Sequence, residues 1–80
     1  MNINITTSAK GDISILQDKI RKNVWEKLKK LQAGQVRYKK LKNSDSYSLR
    51  VEDYRVIFDI NKGDAVIKSI KHRKDVYRNL

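Results

Sequence analysis

The chain has 80 residues, of which 19 are Lys or Arg and nine are Asp or Glu, giving a formal net charge of +10 at pH 7. This length allows one domain, residues 1–80, with a thin hydrophobic core. The sequence has no cysteine, which excludes disulfide bonds and thiolate metal sites.

The remaining composition predicts a soluble protein with an acidic partner. No apolar run approaches the roughly 20 residues that span a bilayer, and the first residues lack a signal-peptide pattern. We therefore expect a cytoplasmic protein that does not bind membranes. A net charge this positive favours nucleic acid, an acidic protein or both as partners.

The N-terminal half predicts one short strand followed by two helices. Asn2–Thr6 alternates apolar and polar residues and ends in residue types that cap helices, so we expect a helix from about Ser8. An apolar stripe then recurs at helical spacing: Ile13, Leu16, Ile20, Val24, Leu28 and Leu31. A break near Gln17-Asp18 separates two helices, with Asp18 as the cap of the second. Gly34 is expected to end the second helix.

The second helix also carries a large aromatic residue and a basic face. Trp25 is expected to widen the buried stripe. Five lysines lie on the opposite side: Lys19, Lys22, Lys27, Lys29 and Lys30. Such a face is typical of the solvated side of an amphipathic helix, and contact with phosphates is the alternative.

The C-terminal half predicts a sheet. Three segments rich in β-forming residues are separated by polar turns: Tyr47–Val51, Tyr54–Ile60 and Ala65–Lys71. Before them, Gln35–Lys42 alternates loosely and is a candidate for a first strand of the sheet. Lys74–Leu80 is expected to form a short helix or a tail. The resulting fold is a two-layer α+β domain in the order β-α-α-β-β-β, with a mostly antiparallel sheet and both helices on one face. The other face is left open and basic.

The last two strands place cations on that open face. The predicted pairs across the final turn are Ile60 with Val66, Arg55 with Lys71, and Asp53 with Arg73. Side chains alternate along a strand, so Arg55, Lys71 and Arg73 would share one side of the sheet. Apolar residues would share the other side: Val56, Phe58, Ile60, Val66 and Ile70.

These cations suit the cleavage of RNA by its own 2′-hydroxyl group. That reaction needs a base for the hydroxyl proton, cations for the charge on the phosphate, and a donor for the leaving 5′-oxygen. Arg55 and Arg73 suit the second task because guanidinium binds phosphate through two parallel donors. Histidine is the residue type best suited to proton transfer near neutral pH. His72 is therefore a candidate acid or base, or else a structural residue, because strand alternation directs it toward Tyr54. Lys71 lies on the correct face.

Aromatic and acidic residues complete the inventory of candidate groups. Tyr77 is either a stacking platform for an unstacked base or an anchor for the tail. Tyr38, Tyr47 and Tyr54 are expected in core or rim packing. The carboxylates are scattered without metal-ligand spacing, so neither a metal site nor another cofactor is predicted.

Two motifs resemble the RelE/ParE superfamily of toxin–antitoxin toxins. They are LRVEDYRVIF at Leu49–Phe58 and IKHRKDVY at Ile70–Tyr77. The resemblance extends over nearly the whole chain and implies a small basic fold that a cognate antitoxin holds inactive. Members of the RelE branch cleave messenger RNA in the ribosomal decoding site without a metal, whereas members of the ParE branch poison DNA gyrase.

The resemblance also implies roles for single residues. Arg55 corresponds to the arginine that stabilises the attacked phosphate, and Arg73 corresponds to the arginine of the terminal motif. Tyr77 matches the terminal tyrosine that stacks or transfers a proton. Arg50 stands at a position that is often basic.

The sequence departs from the superfamily pattern in two places. Ser46 and Ser48 stand where members of the RelE branch carry lysines, and Glu52 replaces a turn glycine. The first departure leaves the catalytic base unassigned. We therefore expect the protein to depend on the ribosome for positioning of the substrate.

The expected function is that of a RelE-type toxin, an mRNA interferase that inhibits translation. Its expected partners are messenger RNA in the ribosomal A site, ribosomal RNA and an acidic cognate antitoxin. Further RNA contacts are predicted for six cations: Arg50, Lys27, Lys30, Arg37, Lys39 and Lys74. The alternatives are a ParE-like DNA gyrase inhibitor that acts by binding, and a catalytically inactive relic.

Overall fold

The computed structural model describes residues 1–74, and its elements follow the predicted order. They are β1 (Ile3–Ile5), α1 (Thr7–Ser14), α2 (Asp18–Gln32), β2 (Lys39–Lys40), β3 (Tyr47–Val51), β4 (Tyr54–Asn61) and β5 (Asp64–His72). The strands form one sheet in the order β1-β5-β4-β3-β2. β1 runs parallel to β5, and the other pairings are antiparallel. The predicted α+β fold is confirmed, while the predicted tail after Lys74 lies outside the described residues.

The helices cover one face of the sheet and form a single apolar core with it. From the helical region, the buried residues are Ala9, Ile13, Leu16, Val24, Leu28 and Leu31. From the sheet, they are Leu49, Val51, Val56, Phe58, Ala65, Ile67 and Ile70. The predicted helical stripe is thus confirmed, with Ile20 packed at its margin. Neither helix of residues 1–74 is long and apolar enough to cross a membrane.

Trp25 does not belong to this core. Its side chain is 41% exposed, so the prediction that it widens the buried stripe is wrong. The physical reason is its angular position: one residue of an α-helix corresponds to about 100°, which places Trp25 beside the stripe centred on Val24 and Leu28.

The helix starts differ in detail from the prediction. α1 begins at Thr7 because the Thr6 hydroxyl accepts a hydrogen bond from the Ala9 N–H at 3.1 Å, which caps the first turn. Asp18 is not the cap of α2. Gln17 occupies that position without a side-chain hydrogen bond, and Asp18 lies in the first turn, 3.1 Å from Arg21. The predicted cap at Asp18 is therefore wrong.

The predicted stop at Gly34 is confirmed, and its geometry explains it. Gly34 has φ 71°, its N–H donates to the Leu31 carbonyl at 3.1 Å, and the Gln35 N–H donates to the Lys30 carbonyl at 2.8 Å. These two bonds form a Schellman motif, which satisfies carbonyls at the end of α2. The left-handed conformation makes glycine the favoured residue here.

We predict opposite effects of alanine at two glycines. Gly34→Ala should lower the free energy of unfolding by about 1 kcal/mol, because alanine is strained at positive φ. Gly11→Ala should raise it by about 0.5–1 kcal/mol, because Gly11 lies inside α1 and an added Cβ meets no atom within 4 Å. Urea unfolding of both variants measures the difference, and equal signs would contradict the assignment of strain to Gly34.

The segment after α2 is less regular than predicted. The predicted strand Gln35–Lys42 is reduced to Lys39–Lys40, which pairs with Ser48 and Tyr47 of β3. Before this strand, the Tyr38 ring packs edge-on against Phe58, with centroids 5.3 Å apart. After it, the chain turns through Asn43 at φ 59°. The segment therefore covers the core margin with side chains and adds little to the sheet.

The β4–β5 hairpin has the predicted strand register far from its turn but a different register next to the turn. Its turn is a two-residue connection with positive φ at Lys62 (52°) and Gly63 (82°), as in a type I′ turn. Next to this turn the pairs are Ile60 with Ala65, Asp59 with Val66, and Phe58 with Ile67. Beyond a register shift they are Ile57 with Ser69, Val56 with Ile70, and Arg55 with Lys71. Lys68 is thus the extra residue of a β-bulge.

The bulge corrects the predicted core. Ala65 and Ile67 are fully buried, so Val66 faces the open side, and its predicted core position and pairing with Ile60 are wrong. Beyond Lys68 the alternation changes phase, which returns Ile70 to the core. The predicted pairing of Arg55 with Lys71 is confirmed because the extra residue compensates for the shorter turn.

A carboxylate from α1 stabilises the strand beside this bulge. β1 ends at Ile5, opposite Ile67, so within residues 1–74 no strand pairs with the next part of β5 on that side. There, Asp12 Oδ2 accepts a hydrogen bond from the Ile70 N–H at 3.0 Å. The contact fixes α1 on the sheet and satisfies a partly buried donor of the irregular strand.

We predict that Asp12→Ala lowers the free energy of unfolding by about 1–3 kcal/mol, because it leaves a partly buried N–H group without its acceptor. Asp45→Ala is a matched control. It removes an exposed carboxylate 4.0 Å from Lys40 and should change the stability by less than about 0.5 kcal/mol. Chemical denaturation of both variants measures the two effects, and a loss of similar size in both would contradict the role of Asp12.

Candidate functional site

Three cations form a lateral row on the open face of the sheet. Arg50 of β3 lies opposite Arg55 of β4, and Arg55 lies opposite Lys71 of β5. Directly paired residues project from the same face, and neighbouring strands are about 4.8 Å apart. The row, which we call the cation row, therefore spans about 10 Å. Val56 and Leu49, the sequence neighbours of Arg55 and Arg50, point into the core on the other side.

The three positive charges of the cation row repel one another. Like charges that face each other across strands destabilise a sheet. An anionic group bound across the row would offset this repulsion, because it attracts all three cations at once. The row is thus the part of the open face best suited to a phosphate or a carboxylate.

The other end of the open face carries both signs of charge. Asp59 accepts a hydrogen bond from the Ser46 hydroxyl at 2.6 Å, and its second oxygen lies 3.7 Å from Lys68 Nζ. The bulge brings Lys68 to this position. A cation at this end of the face therefore lies beside a carboxylate.

Ser46 and Ser48, which stand where members of the RelE branch carry lysines, have different environments. Ser46 is buried and bonded to Asp59. Ser48 lies between Ile57 of β4 and Lys39 of β2. Lys39 therefore projects from the same face as the cation row and adds a cation beside Ser48. The predicted RNA-binding role of Lys39 stays a prediction, and its position is compatible with it.

His72 lies away from the cation row. It pairs with Tyr54, and the two rings meet edge to face with centroids 5.3 Å apart, as strand alternation predicts. The pair lines a recess of about 410 Å³ together with Leu16 and Ile20 on the helix side of the sheet. His72 Nδ1 also accepts a hydrogen bond from the Lys74 N–H at 3.3 Å. The structure therefore does not bring His72 together with Arg55 and Lys71.

The end of β5 carries the remaining predicted site residues. Arg73 follows the strand, is exposed, and donates its backbone N–H to the Asp53 carbonyl at 2.7 Å, in agreement with the predicted opposition of these residues. Lys74 is exposed as well. Tyr77 lies outside the described residues. The catalytic roles of Arg73 and Tyr77 stay predictions.

A second group of cations lies at the β3 edge. Lys27 of α2, Arg37 and Arg50 line a depression of about 390 Å³, together with Val36 and Glu52. The structure thus brings together three of the cations predicted to contact RNA. Lys30 is exposed on α2, three residues after Lys27 and on the same side of the helix.

The β3–β4 turn holds Glu52 in a strained conformation that favours glycine. Glu52 has φ 54°, which costs a non-glycine residue about 1–2 kcal/mol. Its side chain accepts a hydrogen bond from Asn23 of α2 at 2.8 Å, and its carbonyl accepts one from Arg50 Nε at 3.2 Å. These contacts hold the turn and Arg50 in place.

Two features of the open face are absent from the prediction based on strand pairing. The turn at Glu52-Asp53 sets Arg50 opposite Arg55. Counting residues outward from this two-residue turn along both strands predicts the same pair. The position of Lys68 depends on the bulge, for which the local sequence has no signal.

Within residues 1–74 no group of three His, Asp or Glu side chains is placed to hold a metal ion.

Comparison with protein families identifies the class of this molecule. Residues 3–77 match the family described as the ParE toxin of type II toxin-antitoxin system, parDE. The match covers nearly the whole chain, so the protein is a toxin of a type II toxin–antitoxin system. It belongs to the ParE toxin family, which confirms the predicted superfamily. No curated protein sequence matches the chain.

Solved structures of similar toxins share this fold. The RelB-RelE antitoxin-toxin complex from Methanococcus jannaschii matches with a TM-score of 0.79 at 20% identity, over 96% of this chain and 98% of that chain. The RelBE2 complex from Mycobacterium tuberculosis matches with a TM-score of 0.76 at 25% identity, over 90% of both chains. The YoeB-YefM complex from Staphylococcus aureus matches with a TM-score of 0.72 at 23% identity, over 90% and 95%. The fold is therefore that of RelE and YoeB toxins.

Proposed function

We propose that this toxin is a ribosome-dependent endoribonuclease that cleaves messenger RNA in the A site and thereby inhibits translation. The observation that carries the proposal is the cation row, in which Arg50, Arg55 and Lys71 share one open face of the sheet. Solved structures with a similar fold include complexes of RelE and of YoeB, which supports the RelE branch of the superfamily.

The proposed reaction is attack of the 2′-hydroxyl on the neighbouring phosphorus. The 2′-oxygen loses its proton and forms a bond to phosphorus, the bond from phosphorus to the 5′-oxygen breaks, and that oxygen takes up a proton. Arg55 stabilises the charge that develops on the phosphate oxygens, and Lys71 supports it from the neighbouring strand. No metal or other cofactor takes part in this scheme.

Dependence on the ribosome follows from the residue types of the cation row. The sequence contains one histidine, and His72 lies on the helix side with Tyr54. The face therefore stabilises charge better than it transfers protons. We propose that the ribosome supplies the positioning that compensates for this, because orientation of the reacting groups lowers a reaction barrier substantially.

An acidic cognate antitoxin is the proposed second partner. Three similar structures are complexes of a toxin with an antitoxin. An antitoxin that covers the cation row with carboxylates would neutralise its repulsion and exclude RNA from it. The toxin would then be inactive in the complex.

A second candidate function is inhibition of DNA gyrase by binding. The specific observation in its favour is the family match, which is to ParE toxins. The serines at positions 46 and 48, in place of lysines, and the remote position of His72 favour it as well. Under this alternative the basic face contacts a protein or DNA without cleaving RNA.

One pair of assays separates the two candidates. The purified protein is added to translation of a defined message, whose cut ends are mapped, and to a gyrase supercoiling reaction. The proposal predicts cuts within codons on the ribosome, no cuts in free message, and normal supercoiling. A message with 2′-deoxyribose at the mapped position should stay intact there. Intact messages with blocked supercoiling would establish the gyrase inhibitor, and the absence of both effects would indicate a relic.

A further inference from the structure

The depression at the β3 edge has the composition of a phosphate-binding site. Its cations come from separate parts of the chain, Lys27 from α2, Arg37 from the following segment and Arg50 from β3. Glu52 is the one carboxylate in its lining, and Asn23 of α2 donates a hydrogen bond to it at 2.8 Å. The lining therefore has an excess of positive charge in a concave surface, which concentrates anions.

Arg50 belongs both to this depression and to the cation row. Its Cα is paired with Arg55, while its Nε donates to the Glu52 carbonyl at 3.2 Å. A guanidinium carries five N–H donors in a fixed plane, so this one bond orients the group and uses only one of its donors. Arg50 thus joins the two groups of cations.

The sheet edge beside Arg50 is not covered by a strand of residues 1–74. β2 pairs with Tyr47 and Ser48 and does not extend to Arg50. The cation row can therefore continue past β3 to Lys27 and Arg37 without an intervening strand. Positive charge thus extends from Lys71, Arg55 and Arg50 on the open face around the β3 edge to Lys27 and Arg37 in the depression.

We propose that the depression formed by Lys27, Arg37 and Arg50 is a second phosphate site, which holds the backbone of single-stranded RNA outside the cation row. This inference rests on the proposed function and extends it from one phosphate to a longer stretch of RNA. A chain of regularly spaced negative charges fits a linear track of cations. The uncovered strand edge would let a peptide pair with β3, but the lining offers mainly charged side chains and few apolar pockets, so the side chains of a peptide would gain little there.

The test measures binding of uncleavable 2′-O-methyl oligonucleotides of three and six nucleotides to the full chain. The native protein should bind the longer one at least about tenfold more tightly, because it reaches both sites. The double variant Lys27→Ala/Arg37→Ala should lose that advantage. Its salt slope for the longer oligonucleotide should fall by about 1.4, since each phosphate contact to a single strand contributes about 0.7.

The double variant Lys22→Ala/Lys29→Ala is the matched control. It removes the same charge from exposed positions on another side of α2, so it should retain the length advantage and the salt slope. If both double variants lost the length advantage and the salt slope equally, the effect would come from the net charge alone, and the inference would be overturned. Native binding without any length advantage would overturn it too.

A polyglutamate peptide tests the competing kind of partner. If the Lys27/Arg37 double variant weakens binding of this peptide but not of the oligonucleotides, the depression is a protein-binding surface and the inference fails. Because these probes cannot be cleaved, the result is independent of catalysis. A retained length advantage in a protein that leaves translated messages intact would refute the proposed nuclease and leave the second phosphate site standing.

Discussion

Replacing Arg55 by alanine is expected to lower the rate of ribosome-bound mRNA cleavage by about 10²–10³-fold, the range seen when one donor to a developing oxyanion is removed. Arg55 occupies the centre of the cation row, between Arg50 and Lys71. Its loss removes the central guanidinium of the row, which can donate two parallel hydrogen bonds to a phosphate. Single-turnover measurement of cut ends on a defined message gives the rate, and circular dichroism establishes whether the variant is folded.

Two further variants separate the position of Arg55 from its charge. Arg55→Lys keeps the charge and loses the paired donors, so we expect an intermediate rate. Lys68→Ala removes a cation from the other end of the same face, where Lys68 pairs with Asp59 at 3.7 Å. It should leave cleavage within about threefold of the native rate, because Lys68 lies outside the cation row and its exposed ion pair contributes little to the stability of the fold. A folded Arg55→Ala variant with the native rate would refute the proposed role.

Phe58→Ala is expected to have the largest effect on stability, a loss of about 3–5 kcal/mol. Phe58 is fully buried in the central strand, and its ring contacts Tyr38 and Tyr47 at centroid distances of 5.3 and 5.8 Å. An 80-residue domain has a total stability of about 4–12 kcal/mol at typical values per residue. The variant would therefore be partly or fully unfolded at physiological temperature, which thermal and urea unfolding would detect.

Ile57→Ala is the matched control for the Phe58 variant. Ile57 precedes Phe58 in the same strand, is half-buried, and lies on the open face between Ser48 and Ser69. Removal of its side chain leaves no cavity in the core, so we expect a loss below about 1.5 kcal/mol. If both variants lost similar stability, the helix-covered face would not be the principal core.

The sequence was sufficient to predict the two-layer fold because spacing and turn chemistry are local properties. The stripe from Ile13 to Leu31 identifies two helices, and the left-handed position at Gly34 marks the end of the second. The inner register of the last hairpin was not predictable in this way. It depends on a bulge at Lys68, and Asp12 stabilises the strand beside this bulge through its bond to Ile70, which lies 58 residues further along the chain.

The candidate site was predicted in part for the same reason. Arg55 and Lys71 could be paired by counting along strands, because the bulge and the shorter turn compensate each other beyond Ile57. Arg50 was identified by family resemblance, although its register follows from the turn at Glu52-Asp53. The convergence of Lys27 and Arg37 on Arg50 had no local signal. It arises from the packing of α2 against β3, which is a tertiary property.

The parallel pairing of β1 with β5 has a consequence for synthesis of the toxin. Within the described residues β1 pairs with β5 alone, the strand made last among them, which also lies against β4 and α1. A nascent chain that has not yet left the exit tunnel through residue 72 lacks a complete sheet. A chain released early, before β5, would expose one edge of β4, leave β1 without its partner and lack Lys71. Under the proposed function, a nascent chain therefore lacks the complete cation row until β5 has been made and has paired with β1 and β4.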